Sequence, residues 1–179
     1  MTYDFILALD PSGSFHEGKG TTGWCILEEA SQKITSTGNI SALSYDYMEA
    51  YWQAHTTLLS QTNKKYQNRL IVVIENFLLY NHKAKAQVNS ELETSKLLGV
   101  LQYYCWIHKI PYAMQNASEV KNRWNDKILH YKQYLTKHKN KLVIPHNKEK
   151  IDRHCKDAIR HAVHYSTFRN KESDMIGTL

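Results

Sequence analysis

The chain has 179 residues, of which 42% are hydrophobic and 22% charged. This length suits one folded domain with a proper core, and no apolar run reaches the roughly 20 residues of a membrane span. The three cysteines form no CxxC pair, which argues against a disulfide framework or a thiolate zinc site. The N-terminus lacks the basic region and cleavage site of a signal peptide, so we expect a cytoplasmic protein.

The charge is basic and unevenly distributed. The formal net charge is +6, and lysines, arginines and histidines are dense between Lys121 and Lys156. Such a stretch suits a polyanionic partner, because neutralising phosphates releases condensed counterions. A solvated basic face would have the same composition. Charge alone therefore does not decide between a nucleic-acid partner and simple solubility.

The first half of the chain predicts four strands and one helix. Residues 3–10, 22–29 and 33–40 are strand-like and are separated by glycine-bearing turns. Residues 44–59 carry apolar and aromatic side chains at helical spacing. Residues 69–75 are almost wholly apolar, as expected for a strand at the centre of a sheet that is covered on both faces.

The second half predicts three helices and one strand. Asn89-Ser90 is expected to cap a helix that runs to about His108, and residues 110–114 form a fifth strand. A helix capped by Ser118 is expected over 117–137. The last helix is expected over 148–168, with a continuous apolar stripe. These elements predict one α/β domain over residues 1–169 and a C-terminal tail over 170–179.

Acidic residues end two of the predicted strands. Asp10 closes the first strand, Glu75 closes the fourth, and His154 and Asp157 lie three residues apart on the last helix. Carboxylates from separate segments are typical of Mg²⁺ sites, and two such ions about 4 Å apart can promote phosphodiester hydrolysis. Histidine is more common with Mn²⁺. A histidine that only solvates a helix flank remains the alternative for His154.

The positions of other polar residues near these acids indicate which of them could support the site. His161 and His164 fall on the stripe of His154 and Asp157, and we expect His161 to hydrogen-bond Asp157 as a supporting residue. Three further acids are set aside as ligands. Glu91 and Glu93 are explained by the dipole at a helix start, and Asp152 lies off the stripe.

The motifs resemble those of RuvC-type Holliday junction resolvases, which belong to the RNase H-like superfamily. In chain order they are Asp10-Pro11-Ser12-Gly13, Thr22-Gly23-Trp24, Ile74-Glu75-Asn76, Asn89 with Lys96-Leu97 and Gly99-Val100, Glu119-Val120-Lys121, and His154-Cys155-Lys156-Asp157-Ala158-Ile159 with His164. Each motif alone is weak, whereas their order and spacing over residues 3–166 are fairly specific.

The resemblance implies a fold and a site. The fold is an RNase H-like α/β fold, a five-stranded mixed sheet with three antiparallel strands followed by two parallel ones, flanked by helices. Two Mg²⁺ ions per site, with Mn²⁺ able to substitute, would be held by Asp10, Glu75, His154 and Asp157. Lys121 would be a catalytic or phosphate-binding lysine.

The resemblance also implies how DNA is bound. Lys127 would contact the DNA backbone, and Phe77 or Tyr80 would stack on a base near the junction centre. Trp124 either touches DNA or covers the core. Cutting two strands symmetrically requires a homodimer, for which the helix over 89–108 is the expected interface. No membrane and no small-molecule cofactor is expected.

Three departures from the family pattern indicate a divergent, phage-type member acting in a bacterial cytoplasm. The loop Ser14–Thr21 is long, His154 stands where the family often has Asp, and Asn122–Asp126 replaces a glycine-rich segment. These departures leave junction selectivity open.

Three other functions share features with this sequence. A less selective nuclease of the same fold could cut RNA–DNA hybrids, flaps or forks. An actin-like sugar kinase or ATPase would need a second glycine-rich phosphate loop and a larger chain. A non-catalytic DNA-binding module would explain the basic charge but leave the placement of Asp10, Glu75 and Asp157 as coincidence.

Overall fold

The structure is a computed structural model that describes residues 3–76, 92–139 and 141–169. Its strands are β1 Phe5–Asp10, β2 Thr21–Glu28, β3 Lys33–Ser41, β4 Leu70–Asn76, β5 Tyr112–Asn116, β6 Thr136–His138 and β7 Lys141–Val143. Its α-helices are α1 Met48–Tyr66, α2 Glu93–Ile107, α3 Ala117–Arg123, α4 Asp126–Tyr131 and α5 Arg153–Phe168. None of the described helices is long and apolar enough to cross a membrane.

The five-stranded sheet has the order β3-β2-β1-β4-β5. The first three strands pair antiparallel, while β4 runs parallel to both β1 and β5. This arrangement confirms the predicted mixed sheet. The five apolar residues of β4, from Leu70 to Ile74, are all fully buried, because helices cover both faces of the sheet.

Alternate residues of the central strands pack into two separate hydrophobic cores. Ile6 and Ala8 of β1 face the core that includes α5, while Leu7 and Leu9 face the core built with α1 and α2. This is the two-residue period of a strand buried on both faces. Helix α5 packs across β1, β2 and β4, which brings its first turns to the edge of the sheet where β1 ends.

The helix predicted over 117–137 is wrong. The chain forms two short helices instead, because the Asn125 side chain accepts a hydrogen bond from the Ile128 amide and starts α4 anew. Trp124, between the two helices, is buried. Strands β6 and β7 then pair into a two-stranded antiparallel sheet, which the sequence pattern did not indicate.

Two helix starts also differ from the prediction. Helix α5 begins at Arg153 rather than near Lys148, because the Asp152 carboxylate accepts a hydrogen bond from the Cys155 amide. Ser118 lies inside α3 and is not its cap, since α3 follows Asn116 without a side-chain cap bond. The proposed cap Asn89-Ser90 and the tail 170–179 lie outside the described residues.

Candidate active site

Asp10 and Glu75 lie side by side at one edge of the sheet. Leu9 of β1 pairs with Ile74 of β4 in a parallel register. The next residues, Asp10 and Glu75, therefore lie next to each other on neighbouring strands. Burial, reinforced by the negative charge of Glu75, raises the pKa of Asp10 to about 6. Two carboxyl groups in such contact disfavour full ionisation of the pair. This edge is therefore suited to receive a cation.

Helix α5 brings His154 onto the same edge. Gly23 of β2 pairs with Asp10, and a Cβ on Gly23 would lie 2.1 Å from the carbonyl carbon of His154. The helix backbone thus rests directly on the glycine, and His154 Nδ1 lies 3.2 Å from Asp10 Oδ2. The hydrogen bond to Asp10 raises the pKa of His154.

Lys121 of α3 connects the remaining carboxylates. Its Nζ lies 3.4 Å from Glu75 Oε1 and 3.3 Å from Asp157 Oδ2. Burial opposes the charge of Lys121, but the carboxylates of Glu75, Asp157 and Asp10 outweigh it and raise the pKa of the lysine. The five predicted residues Asp10, Glu75, Lys121, His154 and Asp157 are thus joined by direct contacts.

His161 supports a different acid from the one predicted. Its ring is fully buried, and Nε2 lies 2.8 Å from Glu75 Oε2 rather than on Asp157. Nδ1 lies 2.9 Å from Gln115 Oε1 on β5. The reason is the path of α5, which crosses β4 one turn after Asp157. Burial alone raises the pKa of Glu75, but His161 and Lys121 outweigh it and hold that pKa at about 2.

Asp157 has a partner that the sequence analysis missed. Arg160 binds Asp157 Oδ1 through Nη1 and Asp126 Oδ1 through Nη2. Lys156 Nζ lies 3.0 Å from Asp126 Oδ2. The i,i+3 spacing of Asp157 and Arg160 was available as a signal, whereas the arrival of Asp126 from α4 depends on tertiary packing.

A buried polar network holds the turn that follows Asp10. Thr22 Oγ1 accepts from the Ser12 amide at 3.2 Å, and the Tyr51 hydroxyl donates to the Ser12 carbonyl at 2.6 Å. His55 Nδ1 donates to the Tyr51 carbonyl, so Nε2 accepts from the Thr22 hydroxyl at 2.8 Å. The helical spacing of residues 44–59 did not predict this polar role for His55.

The buried His55 makes folding sensitive to acid. Burial lowers the pKa of His55 to about 4, against about 6.5 in an unfolded chain. Between these values the unfolded chain binds a proton that the folded chain does not. Stability should therefore fall as the pH drops through this window, by roughly 3 kcal/mol at pH 4 relative to pH 7. His55→Gln should lose this contribution, and urea unfolding from pH 7 to pH 4 measures it; equal pH slopes would contradict the assignment.

Other candidate residues are placed by the structure. Glu93 is buried, its carboxylate contacts the His16 ring and amide, and its backbone lies against Gly13 in the turn after Asp10. Trp124 Nε1 lies 3.3 Å from His164 Nδ1 inside the core, so Trp124 covers the core rather than facing DNA. Lys127 is exposed on α4. Three further residues, Phe77, Tyr80 and Glu91, lie outside the described residues.

The donor set fits a hard divalent cation. Three carboxylates and one imidazole come together from three separate elements, β1, β4 and α5, and these are ligand types that Mg²⁺ or Mn²⁺ accepts. Within the described part of the chain, no three His, Cys, Asp or Glu residues already form a metal-ligand cluster. The acidic oxygens are instead bonded to the Lys121, Arg160, His154 and His161 side chains.

The strand order and the helices on both faces define an RNase H-like fold, as predicted. Among solved structures, the chain is similar to T. thermophilus RuvC in complex with a Holliday junction substrate, with a TM-score of 0.68 and 9% identity over 97% of this chain and 99% of that chain. A second Thermus thermophilus RuvC structure aligns with a TM-score of 0.67, at 9% identity, over 96% of this chain and 99% of that one. The chain therefore has a RuvC-like fold. No family model and no curated protein sequence matches it.

Proposed function

We propose that the chain is a metal-dependent endonuclease that resolves four-way junctions or other branched DNA. The observation that carries the proposal is the convergence of Asp10, Glu75, His154 and Asp157 at the edge of a RuvC-like sheet. The likeness to a RuvC structure titled as a complex with a Holliday junction substrate supports branched DNA as the substrate. The basic charge supports a polyanionic partner.

Asp10, Glu75, His154 and Asp157 would hold two Mg²⁺ or Mn²⁺ ions. When bound, such ions polarise the phosphodiester and lower the pKa of a water. Burial, together with the nearby charge of Glu75, raises the pKa of Asp10, and a bound divalent cation would favour its ionised form.

Lys121 and Arg160 are the two cationic side chains that would respond to metal binding. In the structure both form ion pairs with Asp157. On loading, Lys121 would turn toward the scissile phosphate and neutralise its developing charge. Arg160 has Asp126 as a second anchor, so it can keep one ion pair while it frees an oxygen of Asp157.

A homodimer would place two such sites on one junction. Helix α2 exposes three large apolar side chains, since Tyr103, Trp106 and Ile107 are 62%, 55% and 44% exposed. Tyr103 and Trp106 lie about one helical turn apart, with ring centroids 6.0 Å from each other. Two copies related by a two-fold axis could bury these residues against each other.

The proposed function is tested by comparing substrates. Purified protein with Mg²⁺ should nick opposing strands of a four-way junction symmetrically, leaving 5′-phosphate and 3′-hydroxyl ends. Linear duplex of the same sequence should be cut at least about tenfold more slowly, a difference of roughly 1.4 kcal/mol.

Two outcomes would contradict parts of the proposal. Equal cleavage of linear duplex or of an RNA–DNA hybrid would leave a less selective nuclease of the same fold. Tight junction binding without cleavage in either Mg²⁺ or Mn²⁺ would leave a DNA-binding module. Parallel sedimentation measurements on the same preparation check the homodimer.

A further inference from the structure

The whole net charge of the chain comes from one segment. Residues 127–150 contain seven lysines and one glutamate, a formal charge of +6, which equals the net charge of the entire chain. The remaining residues carry as many acidic as basic side chains. A charge that is confined in this way is a local electrostatic surface rather than a general aid to solubility.

These lysines project from a folded support. The apolar side chains Leu129, Leu135, Ile144 and Ile151 of this part of the chain are buried in the core shared with α5. The β6–β7 hairpin lies between them, and Lys137, Lys139 and Lys141 on it are exposed. His138 and Lys141 are direct partners across the hairpin, so their side chains share one face, while Lys137 projects from the other face.

The lysines of this segment also differ from those of the catalytic site in their pairing. Lys121, Lys156 and Arg160 all contact carboxylates. Among the residues that the structure describes, the seven lysines of 127–150 have no acidic side chain within ion-pair distance. Their charge is therefore available to an external anion.

One end of the segment adjoins the candidate active site. Asp126, the first residue of α4, bridges Lys156 and Arg160 on either side of Asp157. The same core that includes α5 holds the hairpin. The middle of the segment lies toward the other end of α5, since the Tyr134 hydroxyl donates to Gln32 Oε1, which Ser166 also contacts. A duplex arm along the lysines would therefore extend away from the sheet edge where Asp10 and Glu75 lie.

We propose that residues 127–150 form a docking surface for the sugar-phosphate backbone of one duplex arm of the DNA substrate. The inference rests on the proposed function, which it deepens by assigning the surface that holds the arm. Single-strand binding would need several stacking aromatics, and Tyr131 is the one fully exposed aromatic here among the described residues. Lysines without base-reading partners favour contacts to phosphates, which position DNA without reading sequence.

The test compares two variants of equal charge in an Asp10→Asn background. One carries Lys137→Gln, Lys139→Gln and Lys141→Gln. The control carries Lys64→Gln, Lys65→Gln and Lys109→Gln, which are also exposed but lie on other elements. Dissociation constants for a labelled four-way junction and for linear duplex are measured in EDTA at a series of KCl concentrations.

The hairpin variant should reduce the slope of log K against log [KCl] by about 2 to 3, since each phosphate contact contributes about 0.9. Its affinity at physiological salt should fall roughly tenfold or more, and equally for both DNAs, whereas the control should keep the parent slope. Equal losses in the two variants would overturn the proposal, because net charge alone would then explain binding.

The two proposals can fail separately. If the parent chain cleaves junctions but the hairpin variant keeps the parent slope, the docking surface is wrong and the nuclease stands. If the hairpin variant shows the reduced slope but the parent cleaves nothing with Mg²⁺ or Mn²⁺, the surface stands and the nuclease is wrong.

Discussion

Asp10→Asn should abolish junction cleavage while leaving DNA binding intact. The amide keeps the size of the side chain but removes the charge that a divalent cation needs, at the point where Glu75 and His154 meet. Loss of metal-assisted charge stabilisation should lower the single-turnover rate by at least about a thousandfold, equivalent to roughly 4 kcal/mol. Rates are compared at saturating protein in Mg²⁺, and the Kd for the junction is measured in EDTA.

Glu17→Gln is the matched control for this experiment. Glu17 lies in the loop after Asp10, its side chain is 61% exposed, and its ion pair is with Lys19 in the same loop. The control should cleave at the rate of the parent chain. A variant with Asp10→Asn that cleaves within tenfold of the parent would remove Asp10 from the site. Isothermal titration of Mn²⁺ gives a second readout, since Asp10→Asn should also weaken metal binding without reference to activity.

Gly23→Ala should destabilise the fold and disturb the site together. The added Cβ would lie 2.1 Å from the His154 carbonyl carbon and 2.5 Å from the Cys155 nitrogen. Both are backbone atoms, so no side-chain rotation relieves the overlap and α5 must move away from β2. We expect a loss of roughly 3 kcal/mol in the free energy of unfolding, and a fall of about tenfold or more in cleavage as His154 leaves Asp10.

Gly99→Ala separates this packing effect from the general cost of replacing glycine. Gly99 is exposed on α2, and an added Cβ would meet nothing within 4 Å. Alanine in a helix interior should stabilise it by roughly 0.5–1 kcal/mol relative to glycine. Urea unfolding of both variants measures the contrast. If the free energy of unfolding of Gly23→Ala stays within about 1 kcal/mol of the parent, α5 does not rest on β2 as described.

The strands could be predicted from short sequence patterns, because burial on one or both faces of a sheet dictates where apolar residues occur. The apolar residues 70–74 predicted a strand covered on both faces, and the structure places them near the centre of the sheet. The prediction of one helix over 117–137 was wrong because two features near its middle interrupt the helix. The side chain of Asn125 starts a new helix, and burial of Trp124 turns the chain, which helical periodicity does not register.

The acids of the candidate site were predictable as strand-end residues, but their partners were not. Asp10 and Glu75 end strands that a sequence pattern can locate. The choice of His161 for Glu75 rather than Asp157, and the bridge from Arg160 to Asp126, depend on the angle at which α5 crosses the sheet. The same angle requires Gly23, whose role the motif alone did not explain.

By itself the sequence determined the strand pattern, the order of the motifs and the acids that end β1 and β4, since hydrophobic periodicity and strand ends are properties of short segments. Only the tertiary structure decided which charges meet. The contacts of Lys121 with Glu75 and Asp157 join residues far apart in the chain. Whether the lysines of 127–150 meet carboxylates also depends on tertiary packing, and they meet none among the described residues. Pairing depends on packing between elements, which no local pattern encodes.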